Sequence, residues 1–244
     1  MVLAAGYGTR LGDLTRRTPK PLLPLGDRPL LEHTIVHLAR HGFDEIAVNL
    51  HFMPEQVRNA LGDGGRWNVH IEYSEERELL GTAGGLKKME HYLRESDAFL
   101  VHYGDILTDQ DLSAMLTFHR DQRALATLLV HQREHSNSIV ALDCDHRITG
   151  FWERPDDETR ESIRSSWVNS AICICNPVVL DMIPAGIPCD LPRDIFPKLL
   201  DSGAVFGFPL TGYRCAIDSP QRYAEAQTAI ADGSYKRDST TIQA

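Results

Sequence analysis

Apolar residues along the chain fall into compact runs that alternate with stretches where they recur at helical spacing. The compact runs predict strands at 2–5, 45–50, 69–73, 98–102 and 124–131. The helical spacing predicts helices at 28–41, 54–61, 82–93 and 112–121. This β, α alternation predicts an α/β fold, a mostly parallel Rossmann-like sheet with helices on both faces. The run at 2–5 is short for a strand buried on both faces, so residues are expected to precede Met1. Beyond 131 the rhythm changes. Runs at 138–142, 148–152 and 168–175 follow with no helix between the first pair, and predict a small antiparallel lobe packed on the main sheet. A helix at 191–200, a strand at 205–209 and a helix at 222–231 complete the pattern. Residues 232–244 are polar and aperiodic. The expected organisation is one domain over 1–231 and a loose tail over 232–244.

Composition narrows the function classes. With 244 residues the chain can bury a substantial core. A net charge of −9 argues against a nonspecific nucleic-acid binder. No run is long enough to cross a membrane, and no signal-peptide pattern opens the chain. The five cysteines, at 144, 173, 175, 189 and 215, are odd in number and match no zinc spacing. Reduced, mostly buried thiols in a cytoplasmic protein are expected.

Candidate chemistry is densest at the start, where Leu3-Ala4-Ala5-Gly6-Tyr7-Gly8-Thr9-Arg10-Leu11 leads to Pro19-Lys20-Pro21. Two glycines let backbone N–H groups close on an anion, and Arg10 and Lys20 add cations. The dinucleotide fingerprint is incomplete, because Leu11 stands where its third glycine belongs. Further along, Glu76-Arg77-Glu78-Leu79-Leu80-Gly81-Thr82-Ala83-Gly84 places glycines at a helix start, where backbone donors can face a ligand. A carboxylate there, Glu76 or Glu78, could accept both hydrogen bonds from the adjacent N1–H and N2–H₂ of guanine. Phe99-Leu100-Val101-His102-Tyr103-Gly104-Asp105 ends an apolar strand on a carboxylate, at the edge where open parallel sheets bind ligands.

Taken together, these segments resemble the sugar-1-phosphate nucleotidyltransferases. The string Leu-Gly-Thr-Ala-Gly at 80–84, with acidic residues before it, is most similar to the mannose-1-phosphate guanylyltransferases. Phe151-Trp152-Glu153-Arg154-Pro155 resembles the family's Glu-Lys-Pro, with arginine for lysine, and Asn169-Ser170-Ala171 resembles its Asn-Ala-Gly. The resemblance covers about residues 2–230.

It implies transfer of a nucleotidyl group from an NTP, GTP favoured, to a sugar 1-phosphate, giving an NDP-sugar and pyrophosphate. Nucleotide binding would fall to Leu3, Ala4, Ala5, Gly6, Gly8, Thr9, Arg10, Glu76, Glu78, Gly81 and Thr82. Arg10, Lys20 and Asp105 would be catalytic, and Gly104, Glu153, Arg154 and Asn169 would hold the sugar phosphate. Mg²⁺ would sit on Asp105. The family's second metal carboxylate is replaced by Ala216, and Asp218 is the nearby substitute. The protein would be a monomer or small homo-oligomer, with no nucleic-acid or membrane partner. Two alternatives stay open. One is a phosphocholine cytidylyltransferase-like enzyme, with Trp152, Trp167 and Tyr213 as a cation cage. The other is a catalytically silent regulator that binds a nucleotide sugar, which Ala216 favours.

Overall fold

The computed structural model describes residues 1–236. A seven-stranded sheet runs in the order Val205–Pro209, Ala126–Gln132, Trp167–Cys175, Phe99–Tyr103, Val2–Leu3, Glu45–Leu50, His70–Glu75. The chain divides into two compact units. The first comprises Met1–Leu79, His102–Ser113 and the described part of Thr211–Ala244. The second comprises Leu80–Val101 and Ala114–Leu210.

In the first unit the pairings that belong to the seven-stranded sheet are parallel. Val2 pairs with Val48 on one side and His102 on the other, and Glu45–Leu50 pairs along its length with His70–Glu75. Parallel strands covered on both faces read as continuous apolar runs, which explains Ile46, Ala47 and Val48, all at most 2% exposed. Because these strands point the same way, the residues following Leu3, Leu50, Glu75 and Tyr103 lie along one edge. That edge carries the glycine turn, His51, Glu76 and Asp105.

The first strand is two residues long, not four, because Ala4 leaves the ladder to bond a side chain. The helix expected at 28–41 is Leu30–Arg40. Pro29 takes an extended conformation, and Arg28–Pro29 pairs with Pro24–Leu25 instead. A short ladder joins Ile106–Thr108 to Arg214–Ala216, and Ser219 caps the last helix, Pro220–Asp232, by accepting from Arg222 N–H. Beyond that helix Tyr235 is buried against His33 and Tyr213. The expected tail therefore starts inside the fold, and residues 237–244 lie outside the described residues.

In the second unit the lobe expected from three strands contains two, Ser138–Leu142 and Ile148–Glu153, paired antiparallel. The third, Trp167–Cys175, lies in the main sheet, antiparallel to Ala126–Gln132. Its residues Ile172, Cys173, Ile174 and Cys175 are all at most 3% exposed, and a strand buried on both faces belongs in a covered sheet. Val205–Pro209 runs parallel to Ala126–Gln132. The helix expected at 82–93 breaks at Met89 into Gly81–Lys88 and Glu90–Leu93. That expected at 191–200 opens with a π-helical turn, Leu191–Ile195, followed by Phe196–Leu199. All five cysteines are free thiols, four of them buried, and the Sγ atoms of Cys173 and Cys175, which share one face of their strand, lie 3.8 Å apart.

Two buried histidines make stability depend on acid. Burial, with His37 nearby, pushes His102 down to about 3, and burial pushes His119 down to about 4. An unfolded histidine takes up its proton near pH 6.5. Between that pH and the folded values the unfolded chain binds more protons, so stability falls as pH falls. Each group contributes a slope of up to about 1.4 kcal/mol per pH unit. Thermal unfolding followed from pH 7 to pH 4.5 is expected to show a falling midpoint, with a shallower fall in His102→Gln.

Candidate active site

The glycine turn is built on the lysine that follows it. Gly8 has a φ of +67°, which only glycine adopts without cost. A Cβ there would lie 3.1 Å from Lys20 Cβ and 3.2 Å from Thr15 Cγ2, so the backbone rests directly on the lysine stem. Thr15, buried on the 3₁₀ turn Thr9–Thr15, donates to the Gly8 carbonyl at 3.1 Å. A Cβ on Gly6 would meet nothing within 4 Å, leaving that backbone open.

Lys20 begins a second 3₁₀ turn, Lys20–Leu22, and its Nζ lies 2.8 Å from Asp105 Oδ2. The side chains are 12% and 27% exposed, so this is a sheltered pair with one face toward solvent. Gly104 explains how the Asp105 turn comes so close to the first strand. Its N–H donates to the Leu3 carbonyl at 2.8 Å, and a Cβ would sit 2.9 Å from that oxygen.

Asp105 is held from the other side as well, since Ile217 N–H donates to its carbonyl at 2.8 Å. Ala216 is paired with Ile106 in the short ladder. Asp218 faces Arg10, with 3.5 Å between Oδ2 and Nη1. Glu76 is 2% exposed, and its Oε1 accepts from Asn49 Nδ2 at 2.8 Å. Glu78 is exposed. The first unit thus gathers Leu3 to Arg10, Lys20, Glu76, Gly104, Asp105 and Asp218.

The second unit holds the rest. Its helix start Gly81–Lys88 differs from the expected open donor set. The N–H groups of Ala83 and Gly84 donate to the Cys189 carbonyl at 2.9 and 3.1 Å. Thr82 N–H donates to Asp190 Oδ1 at 3.1 Å, and Thr82 Oγ1 accepts from Leu191 N–H at 2.7 Å. Gly81, at φ +73°, would drive a Cβ to 2.6 Å from the Cys189 carbonyl. These glycines serve close packing, and Asp190 satisfies the donor left by the helix end.

Glu153 ends the strand Ile148–Glu153. Burial raises its carboxyl above the usual range, against the pull of Arg154 and Arg193. Arg154 is 70% exposed at its side chain, 3.8 Å from Glu153, with a φ of +52°. Asn169 precedes an irregular stretch of its strand. Its N–H donates to Ser138 Oγ and its Oδ1 accepts from Ala171 N–H, at 3.0 and 3.1 Å.

Ala171 sits there at φ +63°, a left-handed conformation costly for any residue with a Cβ. Ala171→Gly is expected to stabilise the protein by about 0.5–1 kcal/mol, read as a higher midpoint in urea unfolding. An unchanged or lower midpoint would show that the surroundings have already absorbed the strain.

Sequence reasoning missed Thr15, Asn49, His51 and Asp190. Thr15 alone carried a local signal, a threonine spaced to reach back over its own turn.

The profile of the nucleotidyl transferase family matches residues 1–232. A UTP–glucose-1-phosphate uridylyltransferase of Synechocystis is 38% identical over 84% of this chain and 56% of its own length. A mannose-1-phosphate guanylyltransferase of Mycobacterium tuberculosis is 31% identical over 96% of this chain and 64% of its own. The chain therefore spans less than two thirds of the length of these relatives.

Two solved structures share the fold. A UDP-glucose pyrophosphorylase complexed with UDP-glucose has a TM-score of 0.80 at 18% identity, covering 95% of this chain and 97% of that one. HddC from Yersinia pseudotuberculosis with GMP-PN has a TM-score of 0.77 at 21% identity, covering 94% and 97%. With the family profile spanning nearly the whole chain, and both named relatives aligning over most of it, the chain belongs to the sugar-1-phosphate nucleotidyltransferase family.

Proposed function

We propose that this protein transfers a nucleotidyl group from an NTP to a sugar 1-phosphate, releasing pyrophosphate. The observation that carries the proposal is the Lys20–Asp105 pair beside a glycine turn packed on the lysine stem. In-line attack of the sugar phosphate oxygen on the α-phosphorus needs alignment and charge neutralisation rather than a protein nucleophile. The open backbone at Gly6, with Gly8 and Thr9, cradles the phosphates, within a nucleotide segment that runs from Leu3 through Ala4 and Ala5. Arg10 takes the leaving pyrophosphate and Lys20 neutralises charge at the α-phosphate. Gly104, Glu153, Arg154 and Asn169 bind the sugar phosphate, and Gly81 and Thr82 shape the base-contacting segment.

Among the described residues no cluster of three or more His, Cys, Asp or Glu side chains could hold a metal. Mg²⁺ nevertheless fits, because it keeps its waters and takes one or two carboxylates together with substrate phosphates. Asp105 offers a hard oxygen donor with part of its side chain toward solvent. Held by Asp105, the ion would supply positive charge that offsets the charge of the substrate phosphates.

The favoured nucleotide is GTP, because a carboxylate in the acidic segment matches two adjacent donors of guanine. Glu78 is exposed and available to read them. The relatives named as acting on mannose 1-phosphate with a guanylyl group are consistent with this choice. The cytoplasm suits free thiols that remain unbridged. Among the described residues no helix is long and apolar enough to cross a membrane.

The test is a matrix of GTP, UTP, dTTP, CTP and ATP against glucose, mannose, heptose and cyclitol phosphates, read as pyrophosphate release. Highest turnover with GTP is expected. Preference for a pyrimidine nucleotide overturns the base assignment. Nucleotide-sugar binding without release in any pairing leaves the silent regulator.

A further inference from the structure

The edge of the sheet in the first unit carries a network that runs from buried Asn49 and Glu76 out to exposed Tyr7. Asn49, the next-to-last residue of Glu45–Leu50, is 3% exposed and stands between two partners. Its Oδ1 accepts from Ala4 N–H at 2.7 Å, and its Nδ2 donates to Glu76 Oε1 at 2.8 Å. A backbone N–H can only donate and a carboxylate only accept, so the amide orientation is forced. Two residues on, His51 Nδ1–H donates to the Glu76 carbonyl at 2.7 Å. Its Nε2 then accepts the Tyr7 hydroxyl proton at 2.6 Å. Glu76 therefore anchors the glycine segment at two points, Ala4 through Asn49 and Tyr7 through His51.

We propose that Glu76 and Asn49 are a pair of positioning residues that fix the Ala4–Tyr7 segment for nucleotide binding, and that the Glu76 carboxylate holds this segment rather than reading the base. The inference rests on the proposed function in one respect, that this segment binds the NTP. Its chemistry is independent of that. A flexible glycine turn loses conformational entropy when it closes on a phosphate, and holding it at both ends beforehand removes part of that cost. The Ala4 N–H, being spent on Asn49, is not one of the donors offered to phosphate.

The test exchanges the roles of the two side chains. Asn49→Asp sets two carboxylates against each other and removes the donor. Glu76→Gln alone keeps an acceptor for Asn49. Together, Asn49→Asp with Glu76→Gln restores one donor and one acceptor in reversed order, while the carboxylate introduced at position 49 still accepts from Ala4 N–H. The expected result is an NTP KM raised about tenfold in Asn49→Asp, the loss of a buried hydrogen bond. The sugar phosphate KM should stay unchanged. The double variant should return to within about threefold of wild type, with GTP preference intact.

Amide exchange at Ala4 should be fast in Asn49→Asp and slow in the other two. If Asn49→Asp fails to fold, recovery of folding in the double variant, with an NTP KM near that of wild type, reads the same exchange. A double variant no better than Asn49→Asp, or a changed base preference in Glu76→Gln alone, overturns the proposal. If wild type turns over no NTP, the proposed function fails, and exchange at Ala4 still decides the pairing.

Discussion

Lys20→Met is expected to lower turnover by about 10²–10³-fold, the usual effect of removing one fixed charge from a developing transition state. The methionine keeps a stem under Gly8 and removes only the charge. Lys20→Ala keeps the Cβ nearest Gly8 but removes the rest of the stem, whose Cδ also lies against the turn, so it should additionally raise the NTP KM. If the ammonium acts mainly in the transition state, kcat in Lys20→Met falls while nucleotide affinity changes little. The loss corresponds to about 2.7–4 kcal/mol of barrier. Near-normal kcat in a folded Lys20→Met protein would remove Lys20 from the chemistry and leave it a structural counterion of Asp105.

The second large effect separates two carboxylates. Asp105→Asn is expected to abolish Mg²⁺-dependent turnover, whereas Asp218→Asn should remain within about threefold of wild type. The reason is where each carboxylate points. Asp105 is sheltered, fixed by Lys20 and by Ile217 N–H. Asp218 faces Arg10, whose side chain is 72% exposed, in a surface pair of the kind worth little. Metal binding followed with Mn²⁺ by electron paramagnetic resonance gives a readout apart from turnover. Affinity should drop in Asp105→Asn and hold in Asp218→Asn. Equal losses in both would show that Asp218 stands in for the carboxylate missing at residue 216. No loss in either, with nucleotide sugar still bound, would favour the silent regulator.

How much of this was written in the sequence depends on range. The strands Glu45–Leu50 and Val205–Pro209 and the helices Pro54–Leu61 and Leu112–Asp121 were legible with their bounds, because burial imposes its period locally. The glycine turn, Lys20 and Asp105 were legible because their types and spacing suit an anion. The placement of Trp167–Cys175 was not. A run of buried residues states that both faces are covered and says nothing of which strands flank it. Nor was Asn49, a polar residue inside an apolar run, whose partners lie 45 and 27 positions away. The helix start at Gly81 looked open from sequence, since nothing local announces that Cys189 and Asp190 close it.

The division of the chain into interrupted units has a consequence for the order of synthesis. Residues 80–210 contain the second unit except where His102–Ser113 passes through the first. The first unit cannot close until residues beyond 211 emerge. Its core joins Leu11, Leu23, Leu25 and Leu30 to Ile217, Ala226 and Ile230. Gln227 reaches back to the Pro24 carbonyl across 203 positions. Contacts of such sequence separation slow folding, because the chain entropy of closure is lost before the contacts form. The nascent N-terminal segment, with its exposed leucines, must therefore wait for the last helix, Pro220–Asp232. During translation that interval is when a chaperone would find those leucines without their partners.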